Sequence, residues 1–226
     1  TGVPKGVAIT RDNLDNLIRG MERIYADGPI LSVAGTGVDA FILDSVAALL
    51  NGHAIIIPGE GTAEDPKALG TLIEKYDAAN LFVTPSRLMA YMKDDAFARA
   101  AGHLKTVLCG GEMFPYALFE KLRDCGVARI YNQYGPSETT VAVSVKALTE
   151  GGTMTTGAPM KGCHLYVCDP LGHVLPAGFE GELYIGGDCV GAGYIGDDEE
   201  NNRKFCRLRE VEGRVYRTGD LAWMTA

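Results

Sequence analysis

Residues 131–140, YNQYGPSETT, concentrate side chains capable of chemistry. Tyr134 offers an aromatic face, Gly135 and Pro136 impose a tight turn, Ser137 brings a hydroxyl and a backbone donor, and Glu138 and Thr139 add a hard carboxylate and another hydroxyl. That set suits a nucleoside triphosphate with Mg2+, through ring stacking, hydrogen bonds to phosphate oxygens and coordination of the metal. A Gly-Pro-Ser turn serves equally well as plain structure. Residues 1–6, TGVPKG, read like the second half of a loop whose backbone amides and Lys5 hold phosphate oxygens. Gly and Pro also mark ordinary turns, and a single lysine is often just solvated. The Gly-x-x-x-x-Gly-Lys-Ser/Thr order is absent, so a Walker-type loop is not the reading. In residues 213–222, GRVYRTGDLA, a strand is expected to end in a Thr-Gly-Asp turn. Asp220 there could accept hydrogen bonds from two sugar hydroxyls, as acidic residues beside ribose do, or be a turn residue only.

Holding such residues in place calls for a scaffold, and the hydrophobic pattern supplies one. Leu14, Leu17, Ile18, Met21, Ile24 and Tyr25 recur at helical spacing, as do Leu43, Val46, Ala47 and Leu50. The β-rich runs HAIIIP, NLFVTP, KTVLCGGE and ARIYNQYG follow, separated by the helical stretches DPKALGTLIEKYDA, PSRLMAYMKDD and PYALFEKLRDC. Strands with near-continuous apolar character alternating with helices predict a parallel sheet covered on both faces. Ligands of such sheets sit beyond the carboxyl ends of the strands, and LCGGE (108–112), NQYGPSETT (132–140) and GVDAF (37–41) fall there. After about Thr149 the pattern changes. HLYVCDPLGHVLP reads as strand, turn and strand, and GELYIGGDCVGAGYI continues with Gly-punctuated strands, predicting an antiparallel, barrel-like β-subdomain. The acidic GDDEENNRK is expected to be a solvated loop or the start of a helix.

A chain of 226 residues, 46% hydrophobic, is long enough to bury a real core. Its formal net charge of −8 argues against nonspecific binding to nucleic acid or to an anionic membrane. Six cysteines lie scattered without a Cys-x-x-Cys pair, so reduced, mostly buried thiols are expected rather than zinc ligands or disulfides. None of the four histidines belongs to a nucleophile motif. Without a membrane-length apolar run or a signal peptide ahead of the first motif, the expected location is the cytoplasm.

Taken in order, TGVPKG, YGPSETT, GELYIGG and YRTGDLA resemble the adenylate-forming superfamily, and most closely the amino-acid adenylation domains of nonribosomal peptide synthetases. The resemblance covers essentially the whole chain. It implies a flavodoxin-like α/β subdomain over residues 13–148, after the end of the phosphate loop in residues 1–12, and a β-subdomain over residues 149–226 that ends at the ribose-binding motif. It also implies the reaction, in which an amino-acid carboxylate attacks the α-phosphorus of ATP to give an aminoacyl-adenylate and pyrophosphate. By the same match Tyr134 stacks on adenine, Asn132 faces its exocyclic amine, Gly111 and Glu112 line that pocket, Ser137 touches the α-phosphate, Glu138 holds Mg2+, and Asp220 binds the ribose hydroxyls. Thr1, Gly2 and Lys5 resemble the end of the loop over the β- and γ-phosphates.

GVDAFILDSVAALLNG resembles the family segment that opens the amino-acid pocket, with Asp39 matching the carboxylate that pairs with the substrate's α-ammonium. Read without the family, Asp39 is as well placed to cap the following helix. Ala40, Leu43, Ser86, Leu108, Gly110, Gln133, Val141 and Ala142 align with the side-chain pocket. None is charged, which disfavours a charged substrate side chain. A medium or large neutral side chain is expected, with Gln133 and Ser86 available to a polar tip. The family usually places Arg where Ala192 stands. Its N-terminal subdomain would precede Thr1, and a C-terminal subdomain bearing the catalytic lysine would follow Ala226. The resemblance therefore implies no catalytic residue within these 226 residues and weak or absent activity in isolation. The implied partners are those two subdomains, condensation domains, and a carrier domain bearing phosphopantetheine. Two other readings are an acyl- or aryl-CoA ligase of the same superfamily, which Asp39 argues against, and a fragment that binds without catalysing.

Overall fold

The computed structural model describes residues 5–225. In chain order these form β1 (Val7–Ala8), α1 (Arg11–Met21), β2 (Ile30–Leu31), α2 (Phe41–Asp44), α3 (Val46–Leu50), β3 (Ile55–Ile56), α4 (Pro66–Tyr76), β4 (Asn80–Val83), α5 (Pro85–Tyr91), α6 (Asp95–Ala101), β5 (Thr106–Gly110), α7 (Tyr116–Asp124), β6 (Arg129–Tyr134), β7 (Ser144–Ala147), β8 (Ala158–Pro159), β9 (Cys163–Cys168), β10 (Glu180–Gly187), β11 (Gly193–Tyr194), α8 (Asp198–Lys204), β12 (Phe205–Cys206) and β13 (Val215–Trp223). They divide into two compact units. One is the α/β unit, residues 18–134 and 144–158, and the other is a β-rich unit of residues 5–17, 135–143 and 159–225.

The α/β unit is built on a sheet of order β3-β2-β4-β5-β6-β7-β8, parallel from β3 to β6, with β7 running antiparallel to β6. Its five parallel strands have the flavodoxin-like order 2-1-3-4-5, whose direction of winding reverses between β2 and β4. Register decides which side chains share a face: Leu81, Val107 and Ile130 are cross-strand partners, and so are Phe82, Leu108 and Tyr131. The first row packs with Leu69 and Ile73 of α4, Leu88 of α5, Phe97 of α6, and Leu118 and Leu122 of α7. Phe82, on the opposite face, stacks on Tyr25 at 5.3 Å between ring centroids. Capping explains where helices start. Asp65 accepts from the Ala68 amide ahead of α4, with Pro66 in the first turn, and Asp94 accepts from the Ala96 and Phe97 amides ahead of α6. Asn80, buried at the start of β4, donates to the Ala26 carbonyl and accepts from its amide, tying the loop after α1 to the sheet.

Some elements depart from the sequence expectation. The pattern from Leu43 to Leu50 is split at Ser45, whose φ/ψ of −129/−91° leave the helix and whose hydroxyl donates to the Phe41 carbonyl. Ile24 and Tyr25 lie past the end of α1. Neither β2, α6 nor the antiparallel β7 was expected.

In the β-rich unit, β12-β13-β10-β9 form an open antiparallel half-barrel, and β1 pairs with β11 in a separate ribbon. Tyr194, Phe205 and Tyr216 make one small core here, and Cys168, Tyr184 and Val215 another. The acidic stretch is helix α8, capped by Asp197, which accepts from the Glu200 amide. Its acids fill the first turn and Arg203 and Lys204 the last, as the helix dipole favours. The expected Thr-Gly-Asp turn is instead a bulge within β13. Arg217 pairs with Tyr184 and Leu221 with Glu182, so residues 218–220 oppose Leu183 alone. All six cysteines are free thiols, four of them buried. Among the described residues no helix is long and apolar enough to cross a membrane.

Candidate functional site

Four parallel strands of the α/β unit deliver residues of interest at their carboxyl ends. Past β2, the segment 37–41 brings half-buried Asp39 and Ala40 ahead of Leu43. The cap position of α2 falls on Ala40, with no side-chain cap bond, so Asp39 does not serve as its N-cap. Leu43 is buried, and its carbonyl accepts from the Tyr25 hydroxyl, on the face of the sheet that also carries Phe82 and Leu108. Next along, fully buried Asp44 accepts from the Val33 and Ala34 amides at 3.0 and 3.1 Å. Burial pushes its carboxyl up to about 6 against those stabilising bonds.

Past β4, the amide and hydroxyl of Ser86 both donate to the carboxylate of Glu112, at 3.0 and 2.7 Å. Glu112, from the end of β5, thereby caps the first turn of α5, and the Ser86 hydroxyl is committed to it. Arg87 donates to the Val33 carbonyl at 2.7 Å and to the Ala63 carbonyl at 3.0 Å, bridging the strand ends where the winding reverses. Gly110 pairs with Gln133 across β5 and β6. The Gln133 side chain lies so flat over Gly110 that a Cβ there would sit 2.2 Å from its amide nitrogen. Its buried Oε1 has no hydrogen-bond partner among the described residues. Gly111 takes φ +81°, which lets the chain turn back from the strand toward Glu112. Asn132 donates its amide nitrogen to the Thr155 carbonyl at 2.9 Å, which leaves the amide oxygen as the acceptor an exocyclic amine requires. Tyr134, at the end of β6, is half-buried.

In the β-rich unit, residues 135–143 form an unusual turn. Gly135 abuts the Val141 carbonyl, which would lie 2.5 Å from an added Cβ. Ser137 and Glu138 open a short 3-10 turn, after which Thr140 (φ 62°) and Val141 (φ 68°) are left-handed in succession. Two consecutive β-branched residues in that region are strained, and such strain persists where surroundings over-determine it. Here the Thr140 hydroxyl donates to the Cys189 carbonyl at 2.8 Å, the Gly191 amide to the Glu138 carbonyl at 2.9 Å, and Val141 and Ala142 are buried. The Glu138 carboxylate accepts from the Tyr194 hydroxyl. Lys5 pairs with Glu200 at 3.0 Å, and Arg203 together with Lys5 holds that carboxyl down at about 2. Asp220 is set by the bulge, where the Thr218 hydroxyl donates to the Leu183 carbonyl and accepts from the Asp220 amide. Thr1 and Gly2 lie outside the described residues.

Glu138 suits Mg2+ as a hard carboxylate whose orientation is already fixed by a hydrogen bond. Among the described residues no group of three or more His, Cys, Asp or Glu could hold a metal unaided. One carboxylate completed by phosphate oxygens and water is the way Mg2+ accompanies a nucleotide. Sequence reading missed Arg87, Asp44, Tyr194 and Glu200. Each acts through a partner at least 10 positions away, and none stands in a recognisable motif.

A family model described as AMP-binding enzyme matches residues 1–195. The chain is 33% identical over its whole length to tyrocidine synthase 3 of Brevibacillus parabrevis, spanning 4% of that protein. It is 31% identical over 98% of its length to gramicidin S synthase 2 of Brevibacillus brevis, spanning 5% of it. Among solved structures it superposes, at TM-score 0.90 and 29% identity, on a four-domain nonribosomal peptide synthetase bound to AMP and glycine, covering 100% of this chain and 17% of that one.

Proposed function

From the premise that the chain belongs to the AMP-binding enzyme family, we propose that it serves the ATP-dependent activation of a neutral amino acid as an aminoacyl-adenylate, within a nonribosomal peptide synthetase. One observation carries the reading: Asp39, Ser86, Glu112 and Tyr134 follow four adjacent parallel strands on one edge of a flavodoxin-ordered sheet, around the reversal where such folds bind ligands. The AMP and glycine in the similar synthetase agree with it.

In the α/β unit, Asp39 takes the substrate's ammonium group in a charge-assisted bond, and Ala40, Leu43, Leu108, Gly110 and Gln133 accept its side chain. Tyr134 stacks on adenine, the Asn132 amide oxygen accepts from its exocyclic amine, and Gly111 and Glu112 border the same base. In the β-rich unit, Lys5 takes the terminal phosphates, Ser137 the α-phosphate and Asp220 the ribose hydroxyls. Mg2+ held by Glu138 would neutralise charge on the phosphates. The substrate carboxylate forms a bond to the α-phosphorus as the bond to pyrophosphate breaks, so the chain's task is positioning and charge stabilisation. The adenylate would then pass to the phosphopantetheine thiol of a carrier domain.

Amino-acid-dependent exchange of pyrophosphate into ATP, measured on the full-length protein across the standard amino acids, tests this. A neutral amino acid is expected to drive exchange, and Asp39→Asn to reduce it about 100-fold, as expected for removing one partner of a desolvated charge pair. Exchange driven by aryl or fatty acids, indifferent to Asp39→Asn, would replace the amino-acid reading with that of an acyl-activating ligase.

A further inference from the structure

Within the β-rich unit one residue touches both groups assigned to the phosphates and the metal. Tyr194 is 7% exposed and pinned from every side. Its backbone pairs with Val7 of β1, and its amide and carbonyl are both taken by the Asn201 side chain, at 2.6 and 2.8 Å, as if by a further strand. The ring meets Phe205 edge-on at 5.4 Å. From that fixed seat its hydroxyl donates to Glu138 Oε1 and stands 3.5 Å from the Tyr216 hydroxyl. Its ring face receives the Lys5 ammonium 4.9 Å from the centroid. Glu200, held in turn by Nε and Nη2 of Arg203, anchors the same ammonium from the side.

We propose that Tyr194 is a positioning residue that sets the Glu138 carboxylate for the metal and the Lys5 ammonium for the phosphates, through its hydroxyl and its ring respectively. The inference rests on the roles given to Glu138 and Lys5 above. A tyrosine buried only for packing needs one acceptor for its hydroxyl, and any backbone carbonyl would serve. Here the acceptor is the one carboxylate of the 135–143 turn, while the opposite feature of the same side chain, its electron-rich face, holds a cation. The β1–β11 pairing fixes the register between them, since Gly6 next to Lys5 accepts from the Ile195 amide next to Tyr194.

The two halves separate by substitution. Binding would be measured on the full-length protein with Mn2+ as the metal probe and α,β-methylene-ATP as the nucleotide, with and without the metal. Tyr194→Phe keeps the ring and loses the hydroxyl, so it is expected to weaken Mn2+ binding in the nucleotide complex about tenfold, the usual cost of removing a group that orients a metal ligand. Its metal-free nucleotide affinity should stay within twofold of wild type. Tyr194→Leu should also weaken metal-free nucleotide binding, because Lys5 loses its seat. Wild-type Mn2+ affinity in Tyr194→Phe overturns the proposal, whether or not Tyr194→Leu folds. Glu138→Gln distinguishes the two levels: unchanged Mn2+ affinity in that variant overturns the metal role of Glu138 itself, whereas loss in Glu138→Gln with none in Tyr194→Phe overturns the positioning role alone.

Discussion

Gly110 at the end of β5 and Gly135 at the start of the 135–143 turn are two small residues of like appearance, yet their surroundings give them opposite tolerances. A Cβ at Gly110 would meet the Nε2, Cγ and Cδ of Gln133 at 2.2, 2.5 and 2.6 Å, all side-chain atoms that a change of rotamer can carry away. Gly110→Ala is therefore expected to melt within a degree or two of wild type while altering the amino-acid profile of pyrophosphate exchange, because Gln133 must move. A Cβ at Gly135 would meet the Val141 carbonyl and the Ala142 backbone, within 2.9 Å in each case, and backbone yields far less readily. Gly135→Ala should cost about 1–3 kcal/mol in denaturant unfolding. Tyr134, Ser137, Glu138 and Asp220 could be singled out as candidates because each stands in a short motif with its own chemistry. Pairings such as Ser86 with Glu112 and Glu138 with Tyr194 were not, since nothing in local pattern links residues 26 or 56 positions apart.

Strands β4, β5 and β6 were readable as elements because both faces of a parallel sheet are covered, which leaves continuous apolar runs bounded by turn residues. Strand β2 escaped notice because it is two residues long, and α6 because its alanine-rich pattern is nearly featureless. The break between α2 and α3 was invisible for a different reason: periodicity passes smoothly through Ser45, and only the tertiary fit around Asp44 interrupts it. Asp44 ties α2 to the residues just past β2 through the Val33 and Ala34 amides, and burial there disfavours its charged form. Its folded-state value of about 6 lies above the ordinary 3.8, so the folded chain binds this proton more tightly than the unfolded chain. The resulting stability is complete below about pH 4 and is lost as pH rises through 6, amounting to about 3 kcal/mol. Chemical denaturation at several pH values should show that loss in wild type and not in Asp44→Asn. The carboxyl of Glu200, held low by Arg203, acts in the opposite sense and in a lower window, its contribution fading as pH falls toward 2.

Across the whole molecule, the succession of a parallel α/β sheet and an antiparallel one was legible from the change in pattern near Thr149. That residues 135–143 group with the β-rich unit was not, because their ties run to residues 189–194. Leu49, Leu50 and Ile57, all in the short stretch around α3 and the edge strand β3, are each at least 60% exposed. Apolar surface of that kind promotes association. Light scattering is expected to show mass rising with concentration, and Leu50→Glu with Ile57→Glu to shift the chain toward monomer. The bulge of β13 bears on how such a molecule can change over time. Residues 218–220 oppose one residue of β10, an excess of two. Because side chains alternate with a period of two, an even surplus preserves the parity of everything downstream. Loss of a single residue would turn Leu221 and Trp223 to the wrong face, whereas loss of two would restore an ordinary ladder and remove Asp220 or its support. A lineage could thus discard the carboxylate proposed to hold the sugar and keep its sheet intact, so that a descendant folds as before with that proposed contact gone.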